Sequence, residues 1–313
     1  MSKRFVYTVL LVFVSGAAWL TIESLPRTFD INLVPDHRVN LVNGETLFWA
    51  GGCASCHAAA GSKGDKRLHL VGGVELNTPF GVFRAPNISP DAESGIGRWS
   101  TADFFNAMVN GVSPQGYHYY PAFPYVNYRI MPYTDLIDLK AYLDTLPAKS
   151  STIADHDLSF PFNIRAGLGL WKLLYLNDDT FSPEPGVDPQ LERGRYLVNG
   201  PAHCGACHTP RDAFGGEIKD RFLAGAVSPE GNNKDGDSRG QIPNITPHAD
   251  GLGDWSRKDI AYALETGFDP DFDSFGGSMV EVQENMAKLP SEDRMSIAAY
   301  LKTVKALPSE KSN

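Results

Sequence analysis

Two pentapeptides decide the reading of this chain: Cys53-Ala54-Ser55-Cys56-His57 and Cys204-Gly205-Ala206-Cys207-His208. Together they use all 4 cysteines of the 313-residue sequence. In each, two thiols three positions apart can form thioethers with the two vinyl groups of one porphyrin. The imidazole that follows the second thiol then lies under the iron. The pattern reads as covalent c-type haem attachment, with Cys53, Cys56, Cys204 and Cys207 as the attachment points and His57 and His208 as proximal iron ligands. Two disulfides would not explain a histidine after each pair. A zinc site would have to join residues 151 apart and ignore both histidines. A thioredoxin-like redox motif needs a βαβ context, which the flanking sequence lacks. The expectation is two covalently bound haem c groups.

The sequence repeats around these motifs. Gly44-Glu45-Thr46-Leu47 precedes the first as Gly194-Arg195-Tyr196-Leu197 precedes the second. Pro86-Asn87-Ile88-Ser89-Pro90 matches Pro243-Asn244-Ile245-Thr246-Pro247, and Gly97-Arg98-Trp99-Ser100 matches Gly253-Asp254-Trp255-Ser256. Each half closes on Ala-Tyr-Leu, at 141–143 and 299–301, and the offset drifts only from 150 to 158. A duplicated haem-binding unit follows. The expected division is 1–30 as an N-terminal signal or membrane anchor, 31–147 as a first cytochrome c domain, 148–188 as an apolar linker packed on its neighbours, and 189–308 as a second cytochrome c domain.

Three helices are expected in each half. The first covers about Leu41 to Cys53, or Pro189 to Cys204. The second opens on the capping pattern Ser100-Thr101-Ala102-Asp103, or Ser256-Arg257-Lys258-Asp259, and stops at Gly111 or Gly267. The third follows Thr134 or Ser291 with apolar residues at helical spacing. No sustained period-two alternation suggests a sheet. The expected fold class is all-α: two tandem class I cytochrome c domains of about three helices each, with long loops around a haem.

Lys3 and Arg4 precede Phe5 to Ile22, 18 residues without a charge. The run fits an uncleaved anchor, the favoured reading, and also a cleaved signal peptide with small residues at Ser15-Gly16-Ala17-Ala18. Either sends the remainder across the membrane, because the basic flank stays inside. The expected location is the periplasmic side of a bacterial inner membrane. The formal net charge is −9 and there is no Lys/Arg run, so nucleic acid is excluded as a partner. Composition is otherwise that of a globular protein, 42% hydrophobic and 21% charged.

The segments Asn77-Thr78-Pro79-Phe80-Gly81, Pro86-Asn87-Ile88-Ser89-Pro90 and Tyr120-Pro121-Ala122-Phe123-Pro124-Tyr125 resemble the cytochrome c subunits of membrane-bound gluconate and alcohol dehydrogenases. Gly276-Gly277-Ser278-Met279 is similar to a later haem domain of the same subunits. The resemblance covers nearly all of residues 40–308. It implies a subunit that receives electrons from a flavin or quinoprotein dehydrogenase and passes them towards quinone. Those subunits usually hold three haems, and this chain has two motifs.

A sixth iron ligand is expected to be methionine, which raises the potential of a carrier. Met279 lies in a glycine-flanked stretch 21 residues before Tyr300 and is the choice for the second haem, ahead of Met286 and Met295. The resemblance places a methionine where the first half has Phe123, which cannot ligate iron. Met131 is the nearest replacement, with His118, tyrosine, water or an open position as alternatives. Met108 reads as core, and His69, His156, His203 and His248 as surface or structural. Trp99 and Trp255 read as packing rather than electron relays. Asp235 and Asp237, in the loop Asn232 to Arg239, lack a calcium-loop pattern.

The expected function is electron transfer rather than catalysis, from a partner dehydrogenase to a quinone, cytochrome or oxidase of the respiratory chain. The alternative is an enzyme that uses an open first haem, either a dihaem peroxidase or a haem oxidase of a small sulfur anion.

Overall fold

The structure, a computed structural model, describes residues 3–177, 180–228 and 240–309. The loop Asn232 to Arg239 thus lies outside the described residues. Helix α1 (Lys3–Glu23) contains the uncharged run. It is long and apolar enough to cross a membrane, with a mean hydropathy of 2.1, and its described side chains from Lys3 to Ile22 are exposed.

The first half then forms α2 (Leu41–Ala50), α3 (Cys53–His57), α4 (Thr101–Phe105), α5 (Tyr125–Tyr128) and α6 (Tyr133–Thr145). A connecting helix α7 (Gly167–Tyr175) follows. The second half repeats the order as α8 (Pro189–Asn199), α9 (Gly205–His208), α10 (Arg257–Thr266), α11 (Met279–Met286) and α12 (Ser291–Leu301). The capping boxes stand where the sequence places them. The Ser100 and Ser256 hydroxyls accept from the Asp103 and Asp259 amides, and the aspartates accept from the serine amides in return. α4 runs on as a π-turn, Asn106–Asn110, before Gly111 ends it in the left-handed region.

The frame of each half is a crossing of its first and last helices, α2 on α6 and α8 on α12. Glycine makes the approach possible. A Cβ on Gly44 would lie 2.2 Å from the Asp138 carbonyl oxygen, and one on Gly194 would lie 1.9 Å from that of Ser296. The tyrosines of the repeated Ala-Tyr-Leu close both crossings, with Tyr142 and Tyr300 against the same glycines. Alanine in a helix interior normally gains about 1 kcal/mol over glycine. Here Gly194→Ala is expected to lower the unfolding free energy by roughly 1–3 kcal/mol, because two backbones must part. Guanidinium unfolding of the holoprotein reads the effect, and a raised midpoint would contradict the close crossing.

Five short strands correct the all-α expectation. β1 (Glu75–Thr78), β2 (Gly81–Arg84) and β3 (Asp157–Leu158) form one antiparallel sheet, and β4 (Ala226–Val227) pairs antiparallel with β5 (Gln241–Ile242). Strands of two to four residues are too short to carry a period-two signal. The chain is therefore mostly helical, with twelve helices and two small sheets among the described residues.

Two discrete three-helix domains are not evident either. One buried cluster takes in Leu47, Phe48 and Leu139 of the first half together with Leu197, Ile297 and Leu301 of the second. Tyr196 donates its hydroxyl hydrogen bond to the Asp135 carboxylate. Arg67, 5% exposed, donates to Glu284 at 2.9 Å and to Asn285 at 2.6 Å. Parts of the connection 148–188 join this packing: β3 completes a sheet, and the Phe181 ring lies 5.1 Å from that of Tyr196.

Two candidate haem-attachment sites

Each attachment motif is a single helical turn. Cys53, Cys56 and His57 lie on α3, and Cys207 and His208 on α9, with Cys204 in helical conformation at its start. Spacings of three and four bring both thiols and the imidazole to one side of the turn. Burial holds the Cys53 and Cys204 thiols up to about 12, with the neighbouring cysteine adding to the effect. No group of three or more His, Cys, Asp or Glu among the described residues is placed to hold a metal ion.

The histidines show what the turns suit. His57 Nδ1 lies 2.8 Å from the Pro86 carbonyl oxygen, and His208 Nδ1 lies 2.8 Å from that of Pro243. A carbonyl only accepts, so each Nδ1 carries the hydrogen and each Nε2 keeps its lone pair. Desolvation pushes both imidazoles below their ordinary pKa, while the proline carbonyls oppose it, so the ring is neutral at pH 7. A neutral imidazole with one nitrogen fixed by a carbonyl and the other available is the form that binds a metal centre. The residues present therefore fit a haem group, whose iron His57 and His208 would hold.

The repeated Pro-Asn-Ile-Ser/Thr-Pro segment holds those carbonyls in place. Asn87 Oδ1 accepts from the Ser89 amide at 2.8 Å, and its Nδ2 donates to the Lys149 carbonyl at 2.7 Å. Asn244 does the same with Thr246 at 2.8 Å and Leu307 at 2.7 Å. Both asparagines are buried. The attachment turn is tied from the other side, as Gly72 donates to the His57 carbonyl at 2.7 Å and Gly225 to that of His208 at 2.9 Å. Asn244→Leu leaves the Thr246 amide without its partner and the Leu307 carbonyl with only the Thr246 hydroxyl, at 3.1 Å. It is expected to cost roughly 1–3 kcal/mol of stability, measured by denaturant unfolding. A loss under about 0.5 kcal/mol, the usual surface range, would contradict a pinning role.

The candidate sixth ligands fall into different surroundings. Met279 is half-buried and opens α11, so the expected loop is here the start of a helix. Met286 closes that helix and is buried, and Met295 lies on α12 against the core. Met131 is 1% exposed within the core cluster, as is its repeat counterpart Leu289 at 3%. Phe123 packs its ring on Tyr119, Tyr125 and Tyr128. His118 has both ring nitrogens committed: Nε2 donates to the Ser24 carbonyl at 2.9 Å, and Nδ1 accepts from Lys172 Nζ at 2.9 Å. Trp99 and Trp255 are partly buried against the core, and Met108 is buried in it.

Contacts that join the two turns escaped the sequence reading. The Tyr128 hydroxyl donates to the Gly51 carbonyl, two residues before Cys53, at 3.0 Å. The same ring meets His203, next to Cys204, edge-on at 5.5 Å. Asn285 Nδ2 donates to Ser55 Oγ, inside the first motif, at 2.6 Å. Tyr128 and Asn285 stand in no repeat or motif, so nothing in the sequence marks them. The repeated Pro-Asn-Ile segment was such a signal, although its role emerges only from the fold.

The family model described as Cytochrome c matches residues 41–147. A diheme cytochrome c-type protein of Cereibacter sphaeroides is 49% identical over 309 residues, covering 98% of this chain and 100% of the relative. The gluconate 2-dehydrogenase cytochrome c subunit of Pantoea cypripedii is 34% identical over 275 residues, covering 84% of this chain and 59% of the relative. The cytochrome c subunit of a quinone-dependent alcohol dehydrogenase of Gluconobacter oxydans is 33% identical over 280 residues, covering 86% of this chain and 55% of the relative. Full-length similarity to the first, with two attachment turns built alike, places this chain in the dihaem c-type cytochrome family, as an electron-transfer protein with two haem c groups.

Proposed function

We propose that this chain takes electrons from a partner dehydrogenase on the periplasmic face of a bacterial inner membrane, where α1 anchors it, and passes them to a quinone, cytochrome or oxidase. The observation that carries the reading is the duplicated imidazole setting, with His57 on Pro86 and His208 on Pro243. Segments 31–147 and 189–308 each serve one haem, 148–188 connects them, and 1–30 is the anchor. When bound, haem c supplies a one-electron couple at its iron. Cys53, Cys56, Cys204 and Cys207 fix its position covalently. His57 and His208 supply the proximal nitrogens, and the proline carbonyls keep each imidazole proton on Nδ1. Met279 completes the second site and Met131 the first. The names of the gluconate and alcohol dehydrogenase relatives support a dehydrogenase as donor.

Methionine at the second site predicts a specific change. Met279→Ala is expected to turn the second centre high-spin and lower its potential by on the order of 0.1–0.3 V, within the roughly 0.8 V that axial ligands span. The first centre should change little. Redox titration followed optically reads both, and an unaltered second potential would remove Met279 from the site.

The donor is tested in membrane vesicles from cells with and without this chain. Addition of gluconate or ethanol should reduce its c-type absorbance, and oxygen should reverse it through the respiratory chain. A chain that no dehydrogenase substrate reduces, but that turns over peroxide, would overturn the reading.

A further inference from the structure

Residues 159–176 set themselves apart from an acidic protein. This stretch contains Arg165 and Lys172 but no Asp or Glu, in a chain of net charge −9. Nine consecutive residues, 159–167, are exposed, including Phe160, Phe162 and Ile164. α7 follows directly. Leu170, Leu173 and Leu174, at spacings of three and four, form one exposed stripe on it. Its other face is buried at Gly169 and Lys172.

What lies against that buried face identifies the occupant of the exposed one. A Cβ on Gly169 would sit 2.0 Å from the Ser24 carbonyl oxygen, one residue beyond α1. That same oxygen accepts from His118 Nε2, and Lys172 Nζ donates to His118 Nδ1 at 2.9 Å and to the Gly111 carbonyl at 2.7 Å. The end of the apolar helix is thereby clamped onto α7. Leu174 is five residues from Gly169, about 8 Å along a helix. Interfacial helices bury their apolar face by about 5–10 Å at the headgroup boundary, so a bilayer around α1 reaches this stripe. A soluble partner would leave unexplained why the apolar stripe adjoins the span, whereas an exposed face that carries Arg165 and no acid suits anionic headgroups.

We infer that the Leu170, Leu173 and Leu174 face of α7, with the 160–164 loop, rests in the headgroup layer of the membrane that α1 spans. The inference depends on the reading of α1 as an anchor. It fixes the orientation of the first half against the membrane, instead of leaving it tethered by residues 24–40.

Spin labels on the full-length holoprotein test this, since thioethers consume its own cysteines. Leu174→Cys, Tyr262→Cys and Val14→Cys are labelled singly in phosphatidylethanolamine–phosphatidylglycerol proteoliposomes. Collision with a water-soluble nickel chelate and with oxygen is then measured by power saturation. At position 174, nickel accessibility is expected to be on the order of tenfold below that at exposed position 262, with high oxygen accessibility, as for an interfacial helix. Equal nickel accessibility at 174 and 262, with 14 lipid-buried, keeps the anchor and overturns the inference. Exclusion of both relaxants at 174 marks a protein contact and also overturns it. A water-accessible label at 14 removes the anchor itself, and the inference with it.

Discussion

Serine at both Cys204 and Cys207 is expected to yield a chain with the mass of one haem and no electron delivery beyond it. On the proposed assignment the two thiols are the covalent hold of the second site, and His208 alone would not retain the group through washing. The structural loss should also be large. His208, Thr209, Leu223 and Ala224 are all buried around this turn. An unfilled space against them costs several kcal/mol by analogy with large-to-small core changes, about 3–5 kcal/mol for an aromatic side chain. The continuous core should transmit part of that loss to the first half through Tyr128, whose ring lies on His203. Intact-protein mass and haem staining on a denaturing gel read the first effect, and calorimetry the second. Retention of two haems in the double variant would contradict the assignment of the attachment turn.

Met131→Leu separates ligation from packing at the first site. Met131 is 1% exposed, so alanine would cost about 2–5 kcal/mol whether or not the sulfur meets iron. Leucine keeps the volume at under about 1.5 kcal/mol, and Leu289 already fills the counterpart position in the second half. The variant is therefore expected to fold, to lose the methionine charge-transfer band of the first centre, and to slow reduction by the donor at least tenfold. A tenfold rate corresponds to about 1.4 kcal/mol of barrier. A folded variant with that band intact would remove Met131 from the coordination shell.

The two Cys-x-x-Cys-His motifs stood out because their pattern is local. Five consecutive residues carry each motif, and the capping boxes at Ser100 and Ser256 span four. The duplication was legible as repeated strings, and it recurs in the structure down to the partners of Asn87 and Asn244. Resemblance to dehydrogenase cytochrome subunits was likewise carried by short loop segments. What was not legible is set by distance along the chain. Arg67 meets Glu284 across 217 positions, and Ser55 meets Asn285 across 230, so no local pattern announces that the halves share a core. The small sheets escaped for the opposite reason, being too short for any period. α11 escaped because its opening glycines read as a loop, which turned the Met279 stretch into an irregular one.

The central claim is a carrier with two closed haem sites, and near-infrared and EPR spectra of the ferric full-length protein test it most directly. Two low-spin centres, each with a histidine–methionine signature, and no turnover of added peroxide are expected. The Pro86 and Pro243 carbonyls hold each Nδ1 hydrogen, which leaves the Nε2 lone pairs of His57 and His208 free to hold a haem iron, and the haem would supply a one-electron couple there. A high-spin first centre that turns over peroxide would contradict the account, and would make the Phe123 half of this chain a catalytic site.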